Sequence, residues 1–188
     1  PRYFENASLL NQISYREAIE LAFYGATVIH PKTLQPLQKK EIPLFVKSFV
    51  NPNLPGTQVS KGKDLEPQLP CFILKKNQLL LSISSIDFSF IMEENISEIF
   101  ALLHQFKIKV SLIQNSAISF SICVEDKFSN FEPLKNILSK KFKLDYFENV
   151  SLYTIRHFDQ NSITNIENKK KILLKQISSE TMQIVVVD

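Results

Sequence analysis

The chain has 188 residues, 44% of them apolar and 15 of them Phe, which allows one large or two small domains around a sizeable core. Its formal net charge is only +3 and its lysines are scattered; the densest run, Lys169–Lys171, is flanked by Glu167 and reads as a solvated face, so no nucleic-acid partner is expected. No apolar run reaches membrane-spanning length and no signal peptide opens the chain, so no membrane partner is expected either.

Pro1 has no methionine before it, and the first residues do not look like the start of a domain; a fragment of a longer protein is expected. Ser14 with Glu17 three residues on is a capping box, followed by Ile19, Leu21, Ala22 and Phe23 and closed by Gly25. Thr27–Ile29 is a short apolar step. Pro31 then opens a second helix that runs through Leu34 and Leu37 to Lys40. His30, alone beside Pro31, reads as a structural turn residue. Pro43–Val50 reads as a strand closed by the turn-rich Asn51–Gly56. Lys61–Pro70 is polar, with Gly62, Pro67 and Pro70, and reads as a connector.

The next stretch sets the fold class. Gln78–Ser85 is apolar on both faces and reads as a covered strand. Ile96, Ile99, Phe100, Leu103 and Phe106 recur at helical spacing and form one stripe. Val110–Asn115 is a strand. Ile118, Phe120, Ile122 and Val124 alternate with polar residues, and Ser116–Ala117 is only long enough for a hairpin turn. Phe131, Leu134, Ile137 and Leu138 mark a second helix, and Lys143–Glu148 a further strand. The order is βαββαβ, the ferredoxin-like arrangement, whose helices cover one face of a four-stranded sheet and leave the other face or an edge for a partner. Cys71 and Cys123 lie in apolar strands and read as buried thiols in a reducing cytoplasm, not as a disulfide or a metal site.

The end of the chain echoes this module. Aligning Asp126 with Asp188 sets Val110–Ser116 over Ile172–Ser178, and Phe120 and Ile122 over Met182 and Ile184. Leu79–Ile83 matches Ser151–Ile155. Only Ile163–Asn168 remains for a helix, which can be a turn or two. The second unit stops after its third strand, so its sheet needs a donor, either Phe72–Leu74 or the strands of a neighbouring module.

Gly25-Ala-Thr-Val-Ile-His-Pro-Lys-Thr-Leu34 and Ile42-Pro-Leu-Phe-Val-Lys-Ser-Phe-Val-Asn-Pro-Asn-Leu-Pro-Gly-Thr57 resemble the end of an aspartokinase catalytic domain. Glu17-Ala-Ile-Glu-Leu-Ala22 resembles the helix that precedes it, and Pro1-Arg2 the end of a "TDPR" element. The remainder resembles the tandem ACT domains of that family. The resemblance implies an α+β fold: ferredoxin-like ACT modules in tandem, preceded by a remnant of an α/β amino-acid-kinase domain. The expected boundaries are 1–60 for the remnant, 61–149 for the first ACT domain with its connector, and 150–188 for a shortened second one. It also implies a cytoplasmic enzyme that phosphorylates L-aspartate with ATP and Mg2+ under feedback by lysine or threonine. The "KFGGTS" element, the glycine-rich phosphate loops and the aspartate-holding acidic residues are absent here. No catalytic residue, bound cofactor or metal is therefore expected in this chain.

By resemblance, Arg2, Thr27 and Val28 would be the rim of the ATP site, with Thr27 where the family usually has Lys. The effector would lie at an interface of two ACT modules, between Phe88, Met92, Asn95 and Ile96 at the first strand–helix loop and Lys109, Val110 and Ser111 on the second strand, with Asn115 and Ser116 following. Free N–H groups at the helix start can hold a carboxylate. Lysine-sensitive members carry an Asp where this chain has Ser111, and Gln114–Asn115 resembles the polar pair of threonine-sensitive forms. A homodimer through ACT domains is implied. The alternatives are a stand-alone ACT-type amino-acid-binding regulator and a competent kinase.

Overall fold

A computed structural model describes residues 7–26, 28–62, 65–87, 89–168 and 170–187, and for Asn165 the backbone alone. It divides into two compact units. The first comprises Pro1–Leu74, Thr154–Thr164 and Ser179–Thr181; the second comprises Lys75–Tyr153, Asn165–Ser178 and Met182–Asp188.

In the first unit, β1 (Gln12–Ser14) leads directly into α1 (Tyr15–Tyr24). Ser14 Oγ accepts the Glu17 N–H at 3.0 Å, and Gly25 ends the helix at φ 122°, where a side chain would be strained. Helix α2 (Pro31–Lys39) starts on His30, whose Nδ1 accepts the Lys32 N–H at 3.2 Å. His30 is thus a helix cap. Strands β2 (Leu44–Val46), β3 (Thr57–Ser60) and β4 (Leu65–Glu66) complete a sheet ordered β2-β3-β1-β4, with β1 parallel to β3. Ile13, Tyr15, Ala18, Leu34, Val59 and Leu65 form its core.

Two expectations change here. The strand expected over Pro43–Val50 is only three residues long, because β3 offers partners only to Leu44–Val46. Beyond it the chain turns away, the Asn51 N–H reaches Ser48 Oγ, and Phe49 is fully exposed. The polar connector contains β4, whose Leu65 pairs with Ile13. Gly56 is required where it stands, since a Cβ there would sit 2.3 Å from the Val46 carbonyl oxygen.

The first unit also buries an ion pair that the periodicities do not reveal. Arg156 Nε and Nη2 donate to the two oxygens of Glu17 at 3.2 and 2.5 Å, and Nη1 donates to Thr181 Oγ1 at 2.7 Å. Both charged side chains are almost fully buried. The fork of the guanidinium fits the carboxylate in a bidentate way, and this hydrogen bond holds the Arg156 pKa above its ordinary value. His157 Nε2 lies 3.2 Å from the same carboxylate but is not aligned for a hydrogen bond.

The second unit is built on a six-stranded sheet. Its strands are β5 (Cys71–Ser85), β6 (Lys109–Asn115), β7 (Ser119–Glu125), β8 (Phe142–Arg156), β9 (Ile172–Ser178) and β10 (Thr181–Val187). Its helices are α3 (Glu93–Gln105) and α4 (Phe131–Leu138), while α5 (Gln160–Glu167) begins in the first unit and ends in the second. The order β6-β7-β5-β8-β10-β9 reads the same from either edge: second strand, third strand, first strand, then a long neighbour. Each βαββ repeat therefore takes its fourth strand from the other's long strand. Phe72–Leu74 is not a separate strand; it is the start of β5, the strand that borders β8 of the second repeat. Likewise Lys143–Glu148 and Ser151–Ile155 form one strand, β8. Near their midpoints β5 and β8 each carry an asparagine in the left-handed region, Asn77 (φ 54°) and Asn149 (φ 55°), a conformation Asn tolerates better than most residues.

The two faces of the sheet have different cores. Leu81, Ile83, Phe120, Ile122 and Val124 pack against Ile99 and Leu103 of α3 and Leu134 and Leu138 of α4. Ile137 lies off this stripe and is partly exposed. The opposite face is not left open. Leu80, Leu112 and Cys123 of the first repeat cluster with Val150, Leu152, Leu174 and Val185. The strands of the second repeat cover it, leaving β6 and β9 as edges. Helix α5 has two turns, as the shortened repeat requires, and begins earlier than expected because Asp159 and Ser162 cap each other.

Replacing Arg156 by Leu leaves Glu17 buried without its partner. Urea unfolding is expected to show a loss of about 3–5 kcal/mol, whereas Glu17→Leu with Arg156→Leu together restores most of it.

Candidate functional site

The first repeat presents its predicted effector residues in two groups. At one end of the edge strand, Met92 is the N-cap of α3 and half exposed, and Asn95 Oδ1 accepts the Met92 N–H at 2.9 Å. Ile96 is partly buried against the helix-covered core. The Ile91 N–H donates to the Ala117 carbonyl at 3.0 Å, which ties this helix start to the β6–β7 hairpin. Asn115 and Ser116 sit in that hairpin, where Ser116 N–H donates to the Ser119 carbonyl at 2.9 Å. Glu93 and Glu94 occupy the first turn of α3, and Ile86, Phe90, Ile113 and Ile118 are exposed nearby in the chain. Phe88 lies outside the described residues.

Lys109, Val110 and Ser111 form the second group, at the far end of β6. Six residues of strand at about 3.3 Å each put roughly 20 Å between Lys109 and Asn115. One copy of the chain does not bring the two groups together.

Ser111 is the extra residue of a β-bulge. The pairs on either side of it are Val110–Val124 and Leu112–Cys123, so Ser111 has no partner in β7. Bulges on edge strands re-aim side chains. Here the Ser111 Oγ receives a hydrogen bond from Lys75 Nζ at 3.1 Å and donates to Gln78 Oε1 at 3.4 Å. Burial, then Lys109, pushes the Lys75 pKa below its ordinary value. Sequence reasoning missed Lys75 and Gln78, which precede or open the strand where the module was placed.

Of the rim expected for a nucleotide, only Val28 lies among the described residues. Arg2 and Thr27 lie outside the described residues, and Val28 is 71% exposed. Among the described residues no group of three or more His, Cys, Asp or Glu could hold a metal ion. No helix among them is long and apolar enough to cross a membrane. A groove of about 350 Å³ runs between Asn77, Asn149, Glu132 and Asp126. Its Asp126 carboxylate is already committed to the N–H groups of Asn130 and Phe131, at 3.0 and 2.8 Å.

The Amino acid kinase family profile matches residues 1–48. Lysine-sensitive aspartokinase 3 of Escherichia coli is 33% identical over 125 residues, 66% of this chain and 28% of that protein. Chloroplastic aspartokinase 1 of Arabidopsis thaliana is 30% identical over 132 residues, 66% of this chain and 22% of that protein. The structure of E. coli aspartokinase III in complex with lysine and aspartate superposes with a TM-score of 0.81 at 25% identity, covering all of this chain and 45% of that one. The chain is an aspartokinase relative. Clostridium acetobutylicum aspartate kinase shares the fold, with a TM-score of 0.79 at 21% identity, over 99% of this chain and 46% of that one. The stretch aligned in sequence is about a quarter of the length of these curated relatives, the whole chain covers 45% of the E. coli structure, and its ACT-type α+β architecture is that of aspartokinase regulatory domains.

Both thiols of the chain are protected. Burial pushes Cys123 up to about 12 and Cys71 up to about 11, with Glu17 adding to the rise at Cys71. Since the thiolate is the reactive form, iodoacetamide at pH 8 is expected to label neither in the native protein and both after unfolding, as read by intact mass.

Proposed function

We propose that this chain is the regulatory end of an aspartokinase and that it binds an amino-acid effector, lysine or threonine, at a site shared by two copies. The observation that carries this reading is the split of the candidate residues. Met92, Asn95, Ile96, Asn115 and Ser116 stand at one end of the β6 edge, and Lys109, Val110 and Ser111 at the other. Two copies related by a two-fold axis alongside β6 would bring the first group of one against the second group of its partner, twice. The unpaired edge of β6 and the exposed apolar residues near it favour such a homodimer. The lysine complex of the E. coli neighbour lends support by analogy.

In the whole protein, effector binding would favour one arrangement of the kinase domains through its different affinity for two states. That protein would transfer phosphate from ATP, with Mg2+, to L-aspartate in the cytoplasm. Arg2, Thr27 and Val28 would contribute only a rim, so this stretch alone would transfer none. We keep 1–60, 61–149 and 150–188 as its sequence modules.

At a hundredfold excess over its Kd, a single-site ligand adds about 2.7 kcal/mol of stability. Lysine or threonine at millimolar concentration is expected to raise the Tm by several degrees, and light scattering is expected to give a dimer. No shift with either amino acid, or a monomer throughout, would remove the reading.

A further inference from the structure

We infer that Lys75 makes the Ser111 end of this site a receptor for the ligand's carboxylate and excludes a ligand whose side chain carries a second ammonium. The inference deepens the amino-acid-binding reading above and rests on it for the nature of the ligand.

The hydrogen bonds around Ser111 run in one direction. Lys75 Nζ donates to Ser111 Oγ, Ser111 donates to Gln78 Oε1, and Gln78 Nε2 donates to the Lys76 carbonyl at 3.0 Å. The lone-pair side of the hydroxyl is therefore turned toward a cation. A ligand ammonium brought to Ser111 would find its natural acceptor already engaged and a like charge behind it. A carboxylate would find N–H donors, because an ammonium has three and Ser111 takes one.

The wider charge distribution points the same way. Burial first, then Lys109 and, less strongly, Lys127 disfavour the charged form of Lys75, and an incoming anion would offset the two lysines. The one carboxylate that acts on it, Glu125, stands 3.7 Å from Lys127. Among the described residues no carboxylate lies within 4.0 Å of Lys75 Nζ. Three cations against one anion leave this end positive. The other half of the site has the opposite sign, since Glu93 and Glu94 fill the first turn of α3. A zwitterion bridging the two halves would point its carboxylate at Lys75 and its ammonium at α3. This reverses the orientation expected from the helix start alone, and it leaves no acidic group at Ser111 for a lysine side chain.

The test uses the intact chain and its Lys75→Met and Lys75→Gln variants, with propionate, L-threonine and L-lysine as probes. Lysine side-chain NMR signals and thermal shifts are the readouts. Propionate is expected to move the Lys75 signal of the parent chain, and threonine to bind at least about tenfold more tightly than lysine. In both variants threonine weakens about tenfold and the preference over lysine narrows to about threefold or less. A Lys75 signal indifferent to propionate, or lysine binding the parent chain as tightly as threonine, overturns the inference while leaving an amino-acid site intact. A propionate response without any response to either amino acid supports the carboxylate receptor and removes the effector reading instead.

Discussion

Two strands of fifteen residues, β5 and β8, are the constraint on which the second unit depends. Each is the first strand of one repeat and the fourth strand of the other. A backbone this long in a sheet must keep its hydrogen-bonding groups paired on both sides, and the shared arrangement satisfies both repeats with two strands fewer than separate modules would need. The left-handed asparagines mark where each strand passes from one repeat to the other. The apolar faces follow from this, because Leu80 and Leu152 are held within one sheet and bury in one cluster.

That packing fixes which surface remains available. With one face under helices and the other under the second repeat, the first repeat offers an edge. The residues singled out for binding lie along this edge or at its two ends, and the bulge at Ser111 turns a side chain out of the ladder and toward Lys75. Electrostatics then gives the edge two unlike ends, acidic at α3 and basic at Lys75 and Lys109.

The elements were legible where one period dominates. Helix α3, the β6–β7 hairpin and the repeat of Val110–Ser116 at Ile172–Ser178 all carry strong alternation, and the structure places them as read. What the residues did not reveal is non-local. Nothing in Cys71–Leu74 or Val150–Ile155 says that a strand continues through an asparagine into a second module. Glu17 reads as a helix-capping residue, Arg156 falls just past the strand read at Ser151–Ile155, and their pairing spans 139 positions. For the site, the residues on β6 and α3 were named from resemblance, but Lys75 was not, because its role comes from a bulge that periodicity does not mark. A polar residue interrupting an apolar strand, as Ser111 does between Val110 and Leu112, is the one local signal that was available.

The Glu17–Arg156 pair also orders events in time. A ribosome delivers Glu17 long before Arg156 and Thr181, and until both have emerged its carboxylate has only water to hold it. Helix α1 cannot settle into its final environment early, although the residues around it are local. The first unit thus cannot finish packing until Arg156 and Thr181 have followed, and through the synthesis of that intervening stretch the half-built surface around α1 is open to chaperones.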